Sequence, residues 1–256
     1  MRSPSLAITL RNGPVLERIR RIKEEHPFWG YRRVWAWLRY KERILVNKKR
    51  VFRLMQENGL TIKPNERLKA KRLSEKPKPR PLKPRQWWGI DMTKVLTPSG
   101  WVYIVLVLDW YTKRIVGYHA GPRALSRDWL EALDKGIKDQ FPEGTRGMGL
   151  NLMSDNGTQP TSMAFMKACG LLGLNQAFTS YSNPKGNADT ERVMRTLKEE
   201  LIHIREWSHE GELTCALGEW IKFYNEEYLH SSIGYKSPTA FEKEWEGEEM
   251  CQPAMG

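Results

Sequence analysis

The central strands of the fold are predicted by residues 87–121, WWGIDMTKVLTPSGWVYIVLVLDWYTKRIVGYHAG. This stretch holds three runs of β-branched and aromatic residues, separated by the turn-like segments TPSG and YTKR. The predicted strands are 88–96, 100–110 and 114–120. Because connections this short join neighbouring antiparallel strands, the stretch predicts a three-stranded antiparallel meander.

Helices and strands alternate after the meander. The apolar periodicity predicts helices at 126–141, 161–172, 188–204 and 213–229, and strands at 150–154 and 176–179. Ser126 is the predicted N-cap of the first of these helices. Strands linked through helices pair in parallel, so the predicted fold class is α/β, with a mixed sheet flanked by helices.

The charge of the 256-residue chain is uneven. Residues 1–85 hold 25 Lys and Arg against 7 Asp and Glu, whereas the remainder carries a net charge of −6 and the whole chain +12. A basic front attached to a mildly acidic body favours nucleic-acid binding. A basic solubilising tail is the alternative.

The basic front has a helical pattern over residues 15–60. Predicted helices cover 15–25, 31–40 and 47–59, with Asn47 as the N-cap of the third. One face of the third helix is apolar, and the other carries Lys48, Lys49, Arg50 and Arg53. This arrangement is typical of a helix-turn-helix-like unit that binds DNA phosphates. The alternative is an ordinary three-helix module with a solvated basic face.

Residues 61–85 read as a linker, because they hold five prolines and ten Lys and Arg against two Glu. The predicted organisation is therefore a helical segment at 1–60, a linker at 61–85, a core at 86–204 and a helical extension at 205–256.

The longest apolar run, 102–108, is far too short for a membrane span. Three widely spaced cysteines indicate a reducing cytosol rather than a disulfide framework.

Three carboxylates carry the candidate chemistry. Asp91 lies inside the first predicted strand, Asp155 follows the fourth, and Glu191 lies early in a helix. Each has an ordinary structural explanation alone, and Asp109 is a rival carboxylate at a strand end. If the first and fourth strands are neighbours, the two aspartates meet and the helix can bring Glu191 beside them. Such a cluster needs cations, for which Mg²⁺ is suited.

These motifs resemble the D-D-E triad of the retroviral integrase superfamily, in its insertion-sequence form. Between Asp155 and Glu191 lie 35 residues, as in the D,D(35)E pattern, and Lys198 matches the family's basic residue two helical turns later. Residues 223–242 resemble the tail signature of this family, and residues 29–60 resemble its helix-turn-helix segment. The match is closest to the second-frame (OrfB) product of IS3-type transposases.

The resemblance implies an RNase H-like fold for about 86–204, with Asp91, Asp155 and Glu191 as metal ligands. It implies two Mg²⁺ ions, which Mn²⁺ can replace, and metal-dependent cleavage of DNA 3′ ends followed by strand transfer. Lys198 and, more loosely, Lys185 would contact DNA, while Asp109 would be structural. Two departures from the family pattern are Asp189, close to the glutamate, and Ile233 in the tail.

The resemblance also implies partners and a location. These are the element's terminal repeats and target DNA, a first-frame (OrfA) product or frameshift fusion, and further copies of this chain in a synaptic complex. The expected location is the bacterial cytoplasm, at the nucleoid, without a membrane. Two alternatives stay open: an RNase H-like host nuclease, and a non-catalytic DNA-binding remnant or regulator.

Overall fold

The computed structural model describes residues 6–62, 79–179 and 184–251. The chain divides into two compact units, Met1–Lys71 with Leu229–Lys236, and Arg72–Tyr228 with Ser237–Gly256. Most of the predicted linker, residues 63–78, lies outside the described residues. No helix in the described part of the chain is long and apolar enough to cross a membrane.

Within its described residues, the first unit contains three α-helices, α1 (Leu6–Glu25), α2 (Tyr31–Ala36) and α3 (Lys48–Glu57). The predicted helix at 31–40 changes form midway, because a π-helical turn, Trp37–Lys41, follows α2. The predicted N-cap of α3 is confirmed: Asn47 Oδ1 accepts a hydrogen bond from the Lys49 N–H at 2.8 Å. The core of this unit includes Ile19, Ile22, Trp29, Val34, Leu38, Val51, Leu54 and Met55.

A short segment from the C-terminal part of the chain, Leu229–Lys236, completes this unit. The segment closes on itself through an antiparallel bridge between His230 and Lys236. Tyr235 takes a left-handed backbone conformation with φ of 61° and packs edge-on against the ring of Trp35. The order of elements along the chain does not indicate this association, which depends on long-range aromatic packing.

The second unit is built on one five-stranded sheet. Its strands are β1 (Trp87–Thr97), β2 (Gly100–Asp109), β3 (Ile115–Gly121), β4 (Asn151–Ser154) and β5 (Asn175–Phe178). They lie in the order β3-β2-β1-β4-β5, with β1, β2 and β3 antiparallel and with β4 and β5 parallel to β1. The predicted RNase H-like mixed sheet is confirmed.

In the part of this unit that the structure describes, five α-helices accompany the sheet: α4 (Ser126–Gln140), α5 (Met163–Leu172), α6 (Ala188–Glu200), α7 (Glu210–Glu226) and α8 (Pro238–Cys251). The prediction of Ser126 as an N-cap was wrong. Leu125 is the cap, and its N–H donates to the Asp128 carboxylate at 2.7 Å. The helix predicted at 188–204 ends four residues early and gives way to a 3₁₀ turn. Helix α8 lies within the predicted helical extension at 205–256, but no separate helix was predicted at its position.

The core of this unit lies between one face of the sheet and helices α4 and α5. Trp88, Ile90, Val105, Val107, Trp129, Leu133, Leu152 and Phe165 are among its buried residues. Alternate residues of β1 point into this core, which leaves Gly89 and Asp91 on the opposite face. That opposite face is where the candidate site lies.

Candidate active site

The pairing of β1 with β4 brings two of the predicted carboxylates together. The parallel register matches Trp87 with Asn151 and ends with Gly89 opposite Met153. Asp91 and Asp155 each lie two residues beyond that last pair. Asp91 lies within β1 and Asp155 directly follows β4, so both aspartates lie at the same end of this pair of strands. The condition under which the two aspartates meet, that the first and fourth strands are neighbours, holds in the structure.

Asp155 is held by the turn that follows β4. Its Oδ1 accepts a hydrogen bond from the Gly157 N–H at 3.0 Å. Asn156 donates from its side chain to the carbonyl of Thr179, just past the end of β5. The carboxylate therefore stands exposed at the strand end, on a turn tied to the neighbouring strand.

Helix α6 carries Glu191 in its first turn and packs against β1 and β2. Thr190, the residue before Glu191, is buried and accepts a hydrogen bond from Trp110 Nε1 at 3.0 Å. Glu191 itself is exposed. The first turn of the helix is thus packed down while the glutamate stays accessible at the rim of the site.

The electrostatics of Asp91 connect the three carboxylates. Burial is the main cause that raises its pKa from 3.8 to about 6, and the charges of Asp155 and Glu191 raise it further. The Met92 N–H, which donates to Asp91 Oδ1 at 2.8 Å, and the charge of Lys198 act in the opposite direction. The carboxylates and Lys198 therefore lie within electrostatic reach of one another, in an environment that favours additional positive charge.

The donor set fits a hard divalent cation, because it consists of carboxylate oxygens and one of them is partly buried beside two others. Among the described residues, no group of three or more His, Cys, Asp or Glu side chains is gathered tightly enough to hold a metal ion. The three carboxylates are therefore neighbours, but their side chains do not converge on one coordination point.

Two further acidic residues have structural partners. Asp109 is fully buried and accepts hydrogen bonds from the backbone N–H groups of Arg85, Tyr111 and Thr112 and from Trp88 Nε1. Burial raises its pKa, and these donors oppose the shift. Asp189 forms an ion pair with Lys113 at 3.3 Å. Both residues have a structural explanation independent of metal.

The structure assigns different surroundings to the predicted DNA-binding residues. Lys48 Nζ lies 4.1 Å from the centroid of the Trp35 ring and donates to the Tyr235 hydroxyl at 3.2 Å. The Arg50 guanidinium donates to the Asn12 side chain and to a backbone carbonyl of α1. Both side chains thus have partners inside the first unit.

The remaining predicted DNA-binding residues differ from these two. Lys49 is exposed on α3, and the exposed Arg53 lies 3.9 Å from Glu57 of the same helix. Lys198 lies on α6, two turns after Glu191. The side chain of Lys185 lies outside the described residues. A DNA contact for any of these residues stays a prediction.

Sequence reasoning missed the residues that seat α6 on the sheet, namely Gly89, Trp110 and Thr190. One signal was available, because a glycine inside a strand often marks the close approach of another backbone or helix. The WWGID motif has such a glycine two residues before Asp91.

Comparisons with known proteins agree with this geometry. An HTH-like domain family matches residues 10–67, and two integrase core domain families match residues 81–184 and 172–238. The chain is 32% identical to the transposase for insertion sequence element IS904 of Lactococcus lactis, over 78% of this chain and 82% of that protein. It is 28% identical to the transposase for IS629 of Shigella sonnei, over 88% and 77% respectively.

A solved structure, the catalytic core domain of BIV integrase, matches with a TM-score of 0.45 and 20% identity, over 65% of this chain and 99% of that one. The two family matches define the class as proteins with an integrase core domain. Within that class, the chain belongs to the family of insertion-sequence transposases.

Proposed function

We propose that this chain is a D-D-E transposase that cleaves the 3′ ends of its element and joins the freed 3′-hydroxyl to another phosphodiester. One observation carries the proposal. Asp91 lies on β1, Asp155 directly follows the adjacent parallel strand β4, and the charges of Asp155 and Glu191 act on the partly buried Asp91. A cluster of like charges in one accessible site is costly unless a cation completes it.

Asp91, Asp155 and Glu191 would hold Mg²⁺, with Mn²⁺ as a substitute and two ions in the complete site. Bound there, the ions supply activation of the attacking oxygen and stabilisation of the leaving oxygen. The partly buried Asp91 supplies a fixed ligand on the sheet. Asp155 and Glu191, both exposed, border the side from which DNA enters.

Positively charged side chains would position the DNA strand. Lys198 lies two turns after Glu191 on α6, and its charge lowers the pKa of Asp91. A phosphate bound near the triad would therefore lie within reach of Lys198. Lys185 precedes the same helix. In the first unit, Lys49 and Arg53 present exposed charge on α3, which suits sequence-independent phosphate contact.

The proposed substrate also implies partners and location. Joining two element ends requires at least two active sites, so we propose that several copies of this chain assemble on DNA, together with the first-frame product or as a frameshift fusion. The proposed place of action is the bacterial cytoplasm, where the nucleoid DNA lies.

A strand-transfer assay tests the proposal. It uses labelled DNA from the sequences that flank the gene, with Mg²⁺ or Mn²⁺, and compares wild type with Glu191→Gln. We expect metal-dependent 3′-end joining by wild type and none by the variant, with DNA affinity retained. Glu199→Gln is the matched control, because Glu199 is an exposed glutamate on the same helix.

The products separate the alternative functions. Free ends without joined strands would indicate a nuclease. DNA binding without any cleavage, both alone and with the first-frame product, would indicate a non-catalytic binder. Joining that survives Glu191→Gln would show that the triad is wrongly assigned.

A further inference from the structure

We propose that Gly89, Trp110, Asn187 and Thr190 form a brace that fixes the distance between Asp91 and Glu191. The inference rests on the proposed function, because it assigns these four as positioning residues for the metal-binding carboxylates. None of them would touch metal or DNA. They would act by holding the first turn of α6 against β1.

The first contact of the brace fixes the residue before Glu191. Trp110 directly follows β2, and its Nε1–H donates to Thr190 Oγ1 at 3.0 Å, with both residues about 1% exposed. A hydrogen bond in such a buried setting has strict geometry, since neither group can turn to water instead. It therefore fixes the rotation of the first turn of α6, and with it the direction in which Glu191 leaves the helix.

The second contact fixes the residue before Asp91. Asn187 precedes α6, is 3% exposed, and donates from Nδ2 to the carbonyl of Ile90 at 3.3 Å. Its Oδ1 accepts no hydrogen bond from the described residues. A buried oxygen without a donor costs free energy, because it has given up its hydrogen bonds to water. Fold stability alone does not explain an asparagine with this cost. A hydrogen bond that fixes the start of α6 to β1 does explain it.

Gly89 makes the close approach possible. A Cβ on Gly89 would lie 1.9 Å from Thr190 Oγ1, 2.5 Å from Trp110 Nε1 and 2.6 Å from Asn187 Oδ1. Any side chain at this position would therefore push α6 off the strand. Gly89 also forms the last pair of the β1–β4 ladder, two residues before Asp91. The brace thus touches the helix and both strands that carry the triad.

The consequence is a fixed spacing between two ligands on different elements. The brace contacts β1 one residue before Asp91 and α6 one residue before Glu191. Ligands of one site need positions correct to about 0.5 Å, which the packing of supporting residues supplies. Loss of such supporting residues typically weakens metal binding by about 10–100-fold.

Two substitutions at Thr190 test the brace in the full chain. Thr190→Val keeps the volume and removes the acceptor of the Trp110 N–H, whereas Thr190→Ser keeps the hydroxyl and removes a methyl group. The readout that does not depend on turnover is Mn²⁺ affinity, measured by electron paramagnetic resonance. The protein is bound to pre-cleaved element-end DNA whose 3′-deoxy terminus prevents joining.

We expect Thr190→Val to weaken Mn²⁺ binding about tenfold and to raise the Mg²⁺ concentration for half-maximal joining by a similar factor. Thr190→Ser should stay close to wild type in both, and both variants should retain DNA affinity. Trp110→Phe should reproduce the Val effect, and adding it to Thr190→Val should cause little further loss, because both remove one contact.

The brace is overturned if Val and Ser variants lose thermal stability while their Mn²⁺ affinity and Mg²⁺ dependence match wild type, because that is the behaviour of ordinary core residues. Gly89→Ala gives a second test, with the same loss of metal affinity expected if it folds. A different result refutes the proposed function: wild type neither joins DNA nor binds Mn²⁺ through the triad. That result would refute the brace as well.

Discussion

Replacing Asp91 with asparagine should stabilise the metal-free protein at neutral pH, although it should abolish catalysis. Burial and the charges of Asp155 and Glu191 raise the pKa of Asp91 to about 6, from 3.8. Folding therefore disfavours the charged carboxylate. The asparagine side chain has nearly the same size, and its oxygen can still accept the Met92 N–H.

The size of the effect follows from the pKa. A shift of about two units at about 1.4 kcal/mol per unit sets a ceiling of about 3 kcal/mol. Partial exposure of Asp91 reduces this, so we expect the free energy of unfolding to rise by about 1–2 kcal/mol. For a domain of this size, that is a rise in Tm of about 2–8 °C.

The pH dependence has a definite sign. Between pH 3.8 and about 6 the folded state binds the Asp91 proton more tightly than the unfolded chain does. Wild type therefore loses stability as the pH rises through that window, and the penalty is complete above about pH 6. The free energy of unfolding of Asp91→Asn should exceed that of wild type at pH 7.5, and this difference should be absent near pH 3.8.

Thermal unfolding followed by circular dichroism in EDTA measures this difference. Asp134→Asn is the control, because Asp134 pairs with Lys138 on the exposed side of α4 and should change stability by less than about 0.5 kcal/mol. The reasoning is refuted if Asp91→Asn is no more stable than wild type at pH 7.5, or if its advantage is equally large near pH 3.8.

Three further predictions concern residues outside the triad. Lys48→Met should lower the free energy of unfolding of the first unit by about 0.5–2 kcal/mol, because Lys48 lies over the ring of Trp35. Lys49→Met removes an exposed charge and should instead weaken DNA binding and reduce its salt dependence. Unfolding curves and salt titrations of DNA affinity check both variants. A loss of DNA affinity with Lys48→Met and a loss of stability with Lys49→Met would contradict these roles. Asp109→Asn should destabilise the second unit by about 1–3 kcal/mol at pH 7.5. Each carboxylate oxygen of Asp109 accepts two N–H donors, so an amide nitrogen would face two donors without an acceptor, and this loss outweighs the relief of a charge that burial disfavours. Urea unfolding checks this, and an unchanged midpoint would contradict the structural role.

The sequence supported the three-stranded meander, because short turns join its strands. The placement of Asp91 near Asp155 depends instead on the long-range pairing of β1 with β4, which the sequence offered only as a condition. The 35-residue spacing from Asp155 to Glu191 was visible without a structure. Features of this kind can be read from the sequence, because they do not depend on how distant parts of the chain pack together.

Long-range packing set the features that the sequence did not reveal. Helix α8 has weak amphipathic periodicity, and Glu242 on it is anchored through an ion pair with Arg114 at 2.6 Å. The association of Tyr235 with Trp35 and Lys48 joins residues about 190 positions apart. Ser126 looked like a cap by residue type, but Asp128 satisfies the helix start instead.

The most direct test of the account is to locate the metal. Crystals of the chain with pre-cleaved element-end DNA and Mn²⁺ should show an anomalous-scattering peak bound by the carboxylates of Asp91 and Asp155, with Glu191 beside it. The peak should vanish in Asp155→Asn. A Mn²⁺ peak at other side chains, or one that persists unchanged in Asp155→Asn, would contradict the assignment of these three residues as the metal site.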